Sequence, residues 1–185
     1  MTKPRRLETG GSLIEVLVAI LLLSLGMLSL GVTMSFAVQM PKLSGFRATA
    51  INLAANHIER IRANPGAFKS GAYSTPLRPL SYDGANGTIE PANCTYPNCT
   101  EVSLAEMDDA STKKAARAQL PYGGMLVTCD STPCGDNAYG NLWIVWQEPS
   151  SRSALDPASS DNCPVEVTTT FIDPKPRCIY VRFRV

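Results

Sequence analysis

From Val16 to Pro41 the chain carries no charged residue, and the 23 positions from Val16 to Val38 are predominantly Leu, Val, Ala, Met, Ile and small residues. Wound as an α-helix at ~1.5 Å per residue, they reach roughly 34 Å, just over the ~30 Å hydrocarbon core of a bilayer. Lys3, Arg5 and Arg6 precede the run. Basic residues followed by such a span specify one transmembrane helix, either an uncleaved anchor or the apolar core of a signal sequence. Glu15 fits neither reading well. A carboxylate at the mouth of an apolar span costs ~2.5 kcal/mol or more toward the bilayer centre, less near the interface, and asks for a partner.

The stretch Gly10-Gly11-Ser12-Leu13-Ile14-Glu15-Val16-Leu17-Val18-Ala19 closely resembles the class III signal of type IV prepilins and pseudopilins. In that family a dedicated prepilin peptidase cuts after a glycine and leaves a glutamate at the fifth position of the mature chain. The resemblance maps the cut to the Gly10–Gly11 bond, makes residues 1–10 a removed leader, and makes Gly11 the new, customarily N-methylated terminus. Gly11 stands where the family usually has Phe or Met. Cleavage removes three of the 17 basic side chains and one of the 16 acidic ones, so the mature chain carries 14 against 15, a formal charge of −1. Neither the full chain at +1 nor the mature chain has the field of a strongly basic nucleic-acid binder. A charge buried in an apolar helix bundle is tolerable only when paired. Glu15 is therefore expected to register the subunit against the Gly11 amine of a neighbour.

Gly26 and Gly31 lie inside the apolar run at a spacing of five, which is not the GxxxG dimer spacing. Beyond the run, Ile51, Ala54, Ile58 and Ile61 recur at helical spacing, with Asn52, Asn56, Glu59 and Arg60 on the other side. The helix is thus expected to continue as an amphipathic one, kinked near Pro41 and stopped at Asn64-Pro65-Gly66. The chain divides into the leader (1–10), a transmembrane or filament-core half-helix (11–40), an amphipathic half-helix (41–64) and a globular head (65–185). The 54 residues from Gly11 to Asn64 make a rod on the order of 80 Å long. With a packed head this is the ladle shape of pilins, an α+β fold. His57, the only histidine, lies beside the apolar sector of Ala50, Leu53 and Ile61 and reads as structural rather than catalytic.

Twelve of the 14 prolines follow Asn64, so the head has a different texture. Ser81-Tyr82-Asp83-Gly84-Ala85-Asn86-Gly87 reads as consecutive turns. Val102 to Leu120 reads as a helix ended by Pro121-Tyr122-Gly123-Gly124, and Met125–Cys129, Asn141–Glu148 and Cys178–Val185 read as strands of one antiparallel sheet. This helix-then-strand order also resembles, more loosely, the PilV (pilus modification protein) family of minor pilins. In the last strand Ile179, Val181, Phe183 and Val185 alternate with Tyr180, Arg182 and Arg184, placing one face on the core and the arginines in solvent. Trp143 and Trp146 read as core or cross-strand packing rather than a stacking platform. Lys175, Arg177, Arg182 and Arg184 read as solubilising edge charges rather than a DNA-binding stripe.

All six cysteines, Cys94, Cys99, Cys129, Cys134, Cys163 and Cys178, follow the span. An exported head meets an oxidising compartment, so three disulfides are expected. The spacing Cys94-x4-Cys99 and Cys129-x4-Cys134 also suits paired zinc ligands, but the 29 residues between the pairs and the lack of a supporting histidine favour disulfides. Of fifteen possible pairings, the short spacings favour Cys94–Cys99 and Cys129–Cys134, which leaves Cys163–Cys178. Val165–Ile172 also alternates like a strand. In a tight hairpin with Cys178–Val185, however, it would hold Cys163 some ~25 Å from Cys178, against the ~4.4–6.8 Å a disulfide needs, and the pairing is preferred.

The glycosylation triplets beginning at Asn86, Asn93 and Asn98 are assigned no role, since a prepilin leader implies a prokaryotic exporter. No nucleophile with a base partner, phosphate-binding glycine loop or carboxylate pair emerges, so neither an enzyme nor a cofactor or metal site is expected. The resemblance implies a low-copy minor pilin that waits in the inner membrane with its head in the periplasm. It would then join other minor pilins and the major pilin in a complex that initiates the pilus, at its extracellular tip. A minor pseudopilin of type II secretion shares every N-terminal feature, and a tip adhesin or DNA-capturing pilin is the third reading.

Overall fold

A computed structural model describes residues 11–75, 78–82, 89, 92–95, 97–148, 161–170 and 176–185, without the side chains of residues 36, 39 and 40. The leader, including Gly10, lies outside the described residues, as do Asp83–Gly87, Ile172 and Lys175. The chain divides into two compact units, Met1–Lys42 and Leu43–Val185. The first contains the start of helix α1 (Leu13–Ala63), in which Pro41 is an internal residue. Leu13–Ser35 is long and apolar enough to cross a membrane, and none of it is buried within the protein. Gly26 and Gly31 have no protein atom near the position of a Cβ.

The second unit is α+β. Here α1 turns amphipathic, burying Ala50, Ala54, His57, Ile58 and Ile61 while Ile51, Asn52, Ala55 and Glu59 stay exposed. The helix ends at Ala63, and a short α2 (Pro65–Lys69) follows with proline at its first position, where the missing N–H costs nothing. Helix α3 (Glu101–Gln119) starts at Thr100, whose hydroxyl accepts from the Ser103 N–H while the Ser103 hydroxyl accepts from the Thr100 N–H. This reciprocal cap satisfies two otherwise orphaned donors. Strands β1 (Gly124–Cys129), β2 (Tyr139–Trp146) and β3 (Arg177–Arg184) form one antiparallel sheet in the order β1-β2-β3. Met125 faces Ile144, and Leu142 faces Val181.

One face of the sheet presents Met125, Val127, Leu142, Ile144, Trp146 and Phe183 to the main core with Ile58, Ile61, Phe68 and Tyr73. On the opposite face Val145, Cys178 and Trp143 pack with Tyr82 and Val167 at one end. Gly140 sits where β2 approaches the Phe183 ring, and a Cβ there would lie 2.3 Å from Cζ. Gly140→Ala is therefore expected to lose ~1–3 kcal/mol by overpacking, read as a lower denaturation midpoint of the head with its β-sheet spectrum retained.

Val165–Ile172, which alternates like a strand, is instead helix α4 over Val165–Thr170. Pro164 starts it, with its carbonyl accepting from the Val167 and Thr168 N–H groups, and the Thr169 hydroxyl donates back to the Val165 carbonyl at 2.9 Å. The Cys163–Cys178 disulfide, with Cα atoms 5.2 Å apart, holds this segment beside the start of β3. Ser81 and Tyr82, at the start of the expected run of consecutive turns, are drawn onto the sheet, while Asp83–Gly87 lie outside the described residues. Tyr82 is buried, and the Ser81 N–H donates to the Met125 carbonyl.

Candidate functional site

Two places gather the polar residues. At the N-terminal end, Gly11 and Ser12 precede α1, and the Ser12 carbonyl accepts from the Glu15 and Val16 N–H groups to start the helix. Glu15 lies in the first turn, exposed among exposed apolar residues. Its carboxylate folds back along the helix, with Oε2 3.9 Å from where a Cβ on Gly11 would stand. Gly11 and Glu15, two of the residues to which the prepilin resemblance assigns a role, are thus neighbours within one chain. A carboxylate here also suits the positive end of the helix dipole.

The second place is a buried polar cluster between α1, the turn after α2, and α3. Tyr73 donates from its hydroxyl to Asp108 Oδ2 at 2.8 Å, Arg60 reaches Asp108 Oδ1 at 3.1 Å, and the Asn64 amide donates to the Glu101 carbonyl at 2.8 Å. His57 is fully buried, with Nδ1 2.9 Å from the Thr112 hydroxyl, which itself donates to the Asp108 carbonyl. That assignment makes Nδ1 the protonated nitrogen of His57 and leaves Nε2 a buried acceptor without a hydrogen-bond partner among the described residues. Burial, with Arg60 and Lys113 nearby, pushes the His57 pKa down to about 3. Burial and the Asp108 carboxylate push the Tyr73 phenol far up. Beside them the buried Lys113 ammonium meets Asp109 Oδ2 at 2.8 Å and donates to the Pro79 carbonyl, while burial raises the Asp109 pKa against the pull of Lys113.

This cluster ties α3 to α1, and His57 has no exposed surface from which to reach a substrate. Only its histidine was singled out from the sequence. The available signal was the i,i+4 pair Asp109 and Lys113 beside Asp108 on one helix. Tyr73, forty residues upstream of Lys113, has no such local cue.

The six cysteines form Cys94–Cys99, Cys129–Cys134 and Cys163–Cys178, with Cα separations of 5.2, 5.4 and 5.2 Å. Cys94–Cys99 sits immediately before the α3 cap, and Cys134 is buried under Ser74. Trp143 and Trp146 do not share a face: Trp146 lies in the main core and Trp143 packs on Tyr180 across the sheet, ring centroids 5.1 Å apart. Of the four basic residues near the C-terminus, Lys175 lies outside the described residues, and the other three do not form one stripe. Arg177 is 4% exposed and meets Asp161 Oδ2 at 3.0 Å, which corrects its expected place among solvent-facing edge charges. The physical reason is Asp161, brought there by α4 and its disulfide, which compensates the buried guanidinium. Arg182 and Arg184 stay exposed, with Arg182 paired to Asp130 and lying 4.3 Å from the Tyr139 ring centroid. No protein family, curated protein or solved structure matches the chain.

Proposed function

We propose that this chain is a minor subunit of a type IV pilus, cleaved between Gly10 and Gly11 and joined to other minor pilins in the complex that starts the filament. The observation that carries the reading is Glu15: a carboxylate in the first turn of α1, at the start of the otherwise uncharged apolar span Leu13–Ser35 and four residues from Gly11. In a membrane or a helix bundle that charge costs several kcal/mol unless a cation meets it. Cleavage at Gly10–Gly11 creates a cation at the right height on each subunit. The apolar helix serves as inner-membrane anchor before assembly and as filament core afterwards, and the disulfide-stapled α+β unit is the periplasmic, then extracellular, head.

Intact-mass and N-terminal analysis of membrane and sheared-filament fractions, with and without the prepilin peptidase, tests the proposal. The expected result is peptidase-dependent loss of residues 1–10, with the mature chain beginning at Gly11 and present at low abundance in sheared filaments. An uncleaved chain confined to the membrane would overturn it and leave an anchored, disulfide-rich domain.

A further inference from the structure

The two edges of the sheet differ. The outer edge of β1 is closed by the segment before it: the Thr75 N–H donates to the Val127 carbonyl and the Ser81 N–H to the Met125 carbonyl. Beside β3 no strand pairs among the described residues. Among the described residues only the beginning of that edge is capped, where the Cys178 N–H donates to Asp161 Oδ2 at 3.2 Å and Cys163–Cys178 anchors the segment. Since the Cys178 N–H points away from β2, the alternation of an antiparallel ladder turns the N–H and C=O groups of Tyr180, Arg182 and Arg184 to the same outer side.

Side chains along this edge also alternate. Arg182 and Arg184 stand exposed on one face, while Ile179, Val181 and Val185 are half-buried at the rim of the main core. Arg182 already holds Asp130, whereas Arg184 holds only the Asn137 side-chain oxygen, at 2.6 Å, and the flank of Tyr139, with no carboxylate within ion-pair distance among the described residues. The geometry points to the Tyr180–Arg184 edge as a docking site for an extended strand of another protein whose side chains alternate acidic and apolar. Its backbone would pair with the outward groups of Tyr180, Arg182 and Arg184. Its acidic side chains would face the two guanidiniums, and its apolar ones would complete the rim over Ile179, Val181 and Val185. A second copy of β3 does not fit, because pairing the open halves of two such strands sets arginines beside arginines. Exposed arginines on an edge otherwise serve to repel strands indiscriminately, and the experiment separates the two roles.

The probe is a capped octapeptide of alternating valine and glutamate, added to the full-length protein in detergent micelles, with backbone amide exchange as the readout. The expected result is at least a tenfold slowing at Tyr180, Arg182 and Arg184, with Ile179 and Phe183 unchanged because their N–H groups already pair with β2. A valine–lysine octapeptide, and the valine–glutamate peptide N-methylated on its pairing edge, are expected to leave all of these amides as they were. Arg184→Glu is expected to shift the preference toward the lysine peptide. No protection by the valine–glutamate peptide, or equal protection by either control, would overturn the inference and leave the arginines as guards of the edge. The inference rests on the sheet alone, so its failure leaves the pilus-subunit reading standing, and failure of leader cleavage leaves this edge unaffected.

Discussion

Lowering the pH from about 7 to about 4 is expected to cost the folded head on the order of 3 kcal/mol through His57 alone. In the folded protein this imidazole titrates at about 3, against an ordinary value of 6.5. Between those two values the unfolded chain binds a proton at this residue that the folded chain does not, so stability rises with pH across the window. The contribution is intact above the unfolded pKa and is lost at ~1.4 kcal/mol per pH unit as the pH falls from there toward the folded value. The cause is structural: His57 is fully buried, its Nδ1–H is spent on Thr112, and protonating Nε2 would place a charge near Arg60 and Lys113 with no acceptor for it among the described residues. Denaturant unfolding of the full-length protein in micelles, wild type against His57→Gln across this range, checks it. The variant starts less stable, having lost the fitted ring, but with a shallower acid slope. Equal slopes in the two proteins would show that His57 does not take part.

Glu15→Val is expected to enter the membrane normally and to vanish from filaments. Insertion gains, because the carboxylate that opposes it is gone. On the proposed pilus-subunit reading assembly loses, because a neighbour's Gly11 amine would then be left in an apolar bundle without its counter-charge. Breaking one partner of a buried pair costs about 3–5 kcal/mol, so incorporation is expected to fall roughly a hundredfold or more. Quantifying the mature chain in membrane and sheared fractions separates the two steps. Equal filament content for wild type and variant would remove Glu15 from assembly.

Much of the architecture is legible in local pattern. The apolar run, the period of Ile51, Ala54, Ile58 and Ile61, and the turn at Asn64-Pro65 specify α1 and its end to within a residue or so. The helix expected over Val102–Leu120 is α3, and each of the three expected strands lies within two residues of an observed one. These elements are readable because neighbours in sequence are neighbours on one face of a helix or strand. Two other readings depend on residues far away. Val165–Thr170 has β-branched residues at five of its six positions, yet it is helical because Pro164 and the tether from Cys163 to Cys178 leave no place for it in the sheet. Arg177, expected among the solvent-facing edge charges, stands opposite Trp146 on the core-facing side of the sheet and is buried there because that same tether carries Asp161 to it.

By itself the sequence determined that this chain has one apolar helix able to span a bilayer, a carboxylate at its mouth, and an α+β head with cysteines close enough in sequence to pair. Those properties follow from hydrophobic length, period and spacing, all short-range. Only the tertiary structure decided that His57, Tyr73 and Asp108 share one buried network, that Trp146 is sealed in the main core while Trp143 packs on Tyr180, and that among the described residues one edge of the sheet is closed while the other is open. Those outcomes depend on which charges and backbone groups find partners when distant segments meet. In a low-dielectric interior an unpaired polar group is costly enough to settle the arrangement.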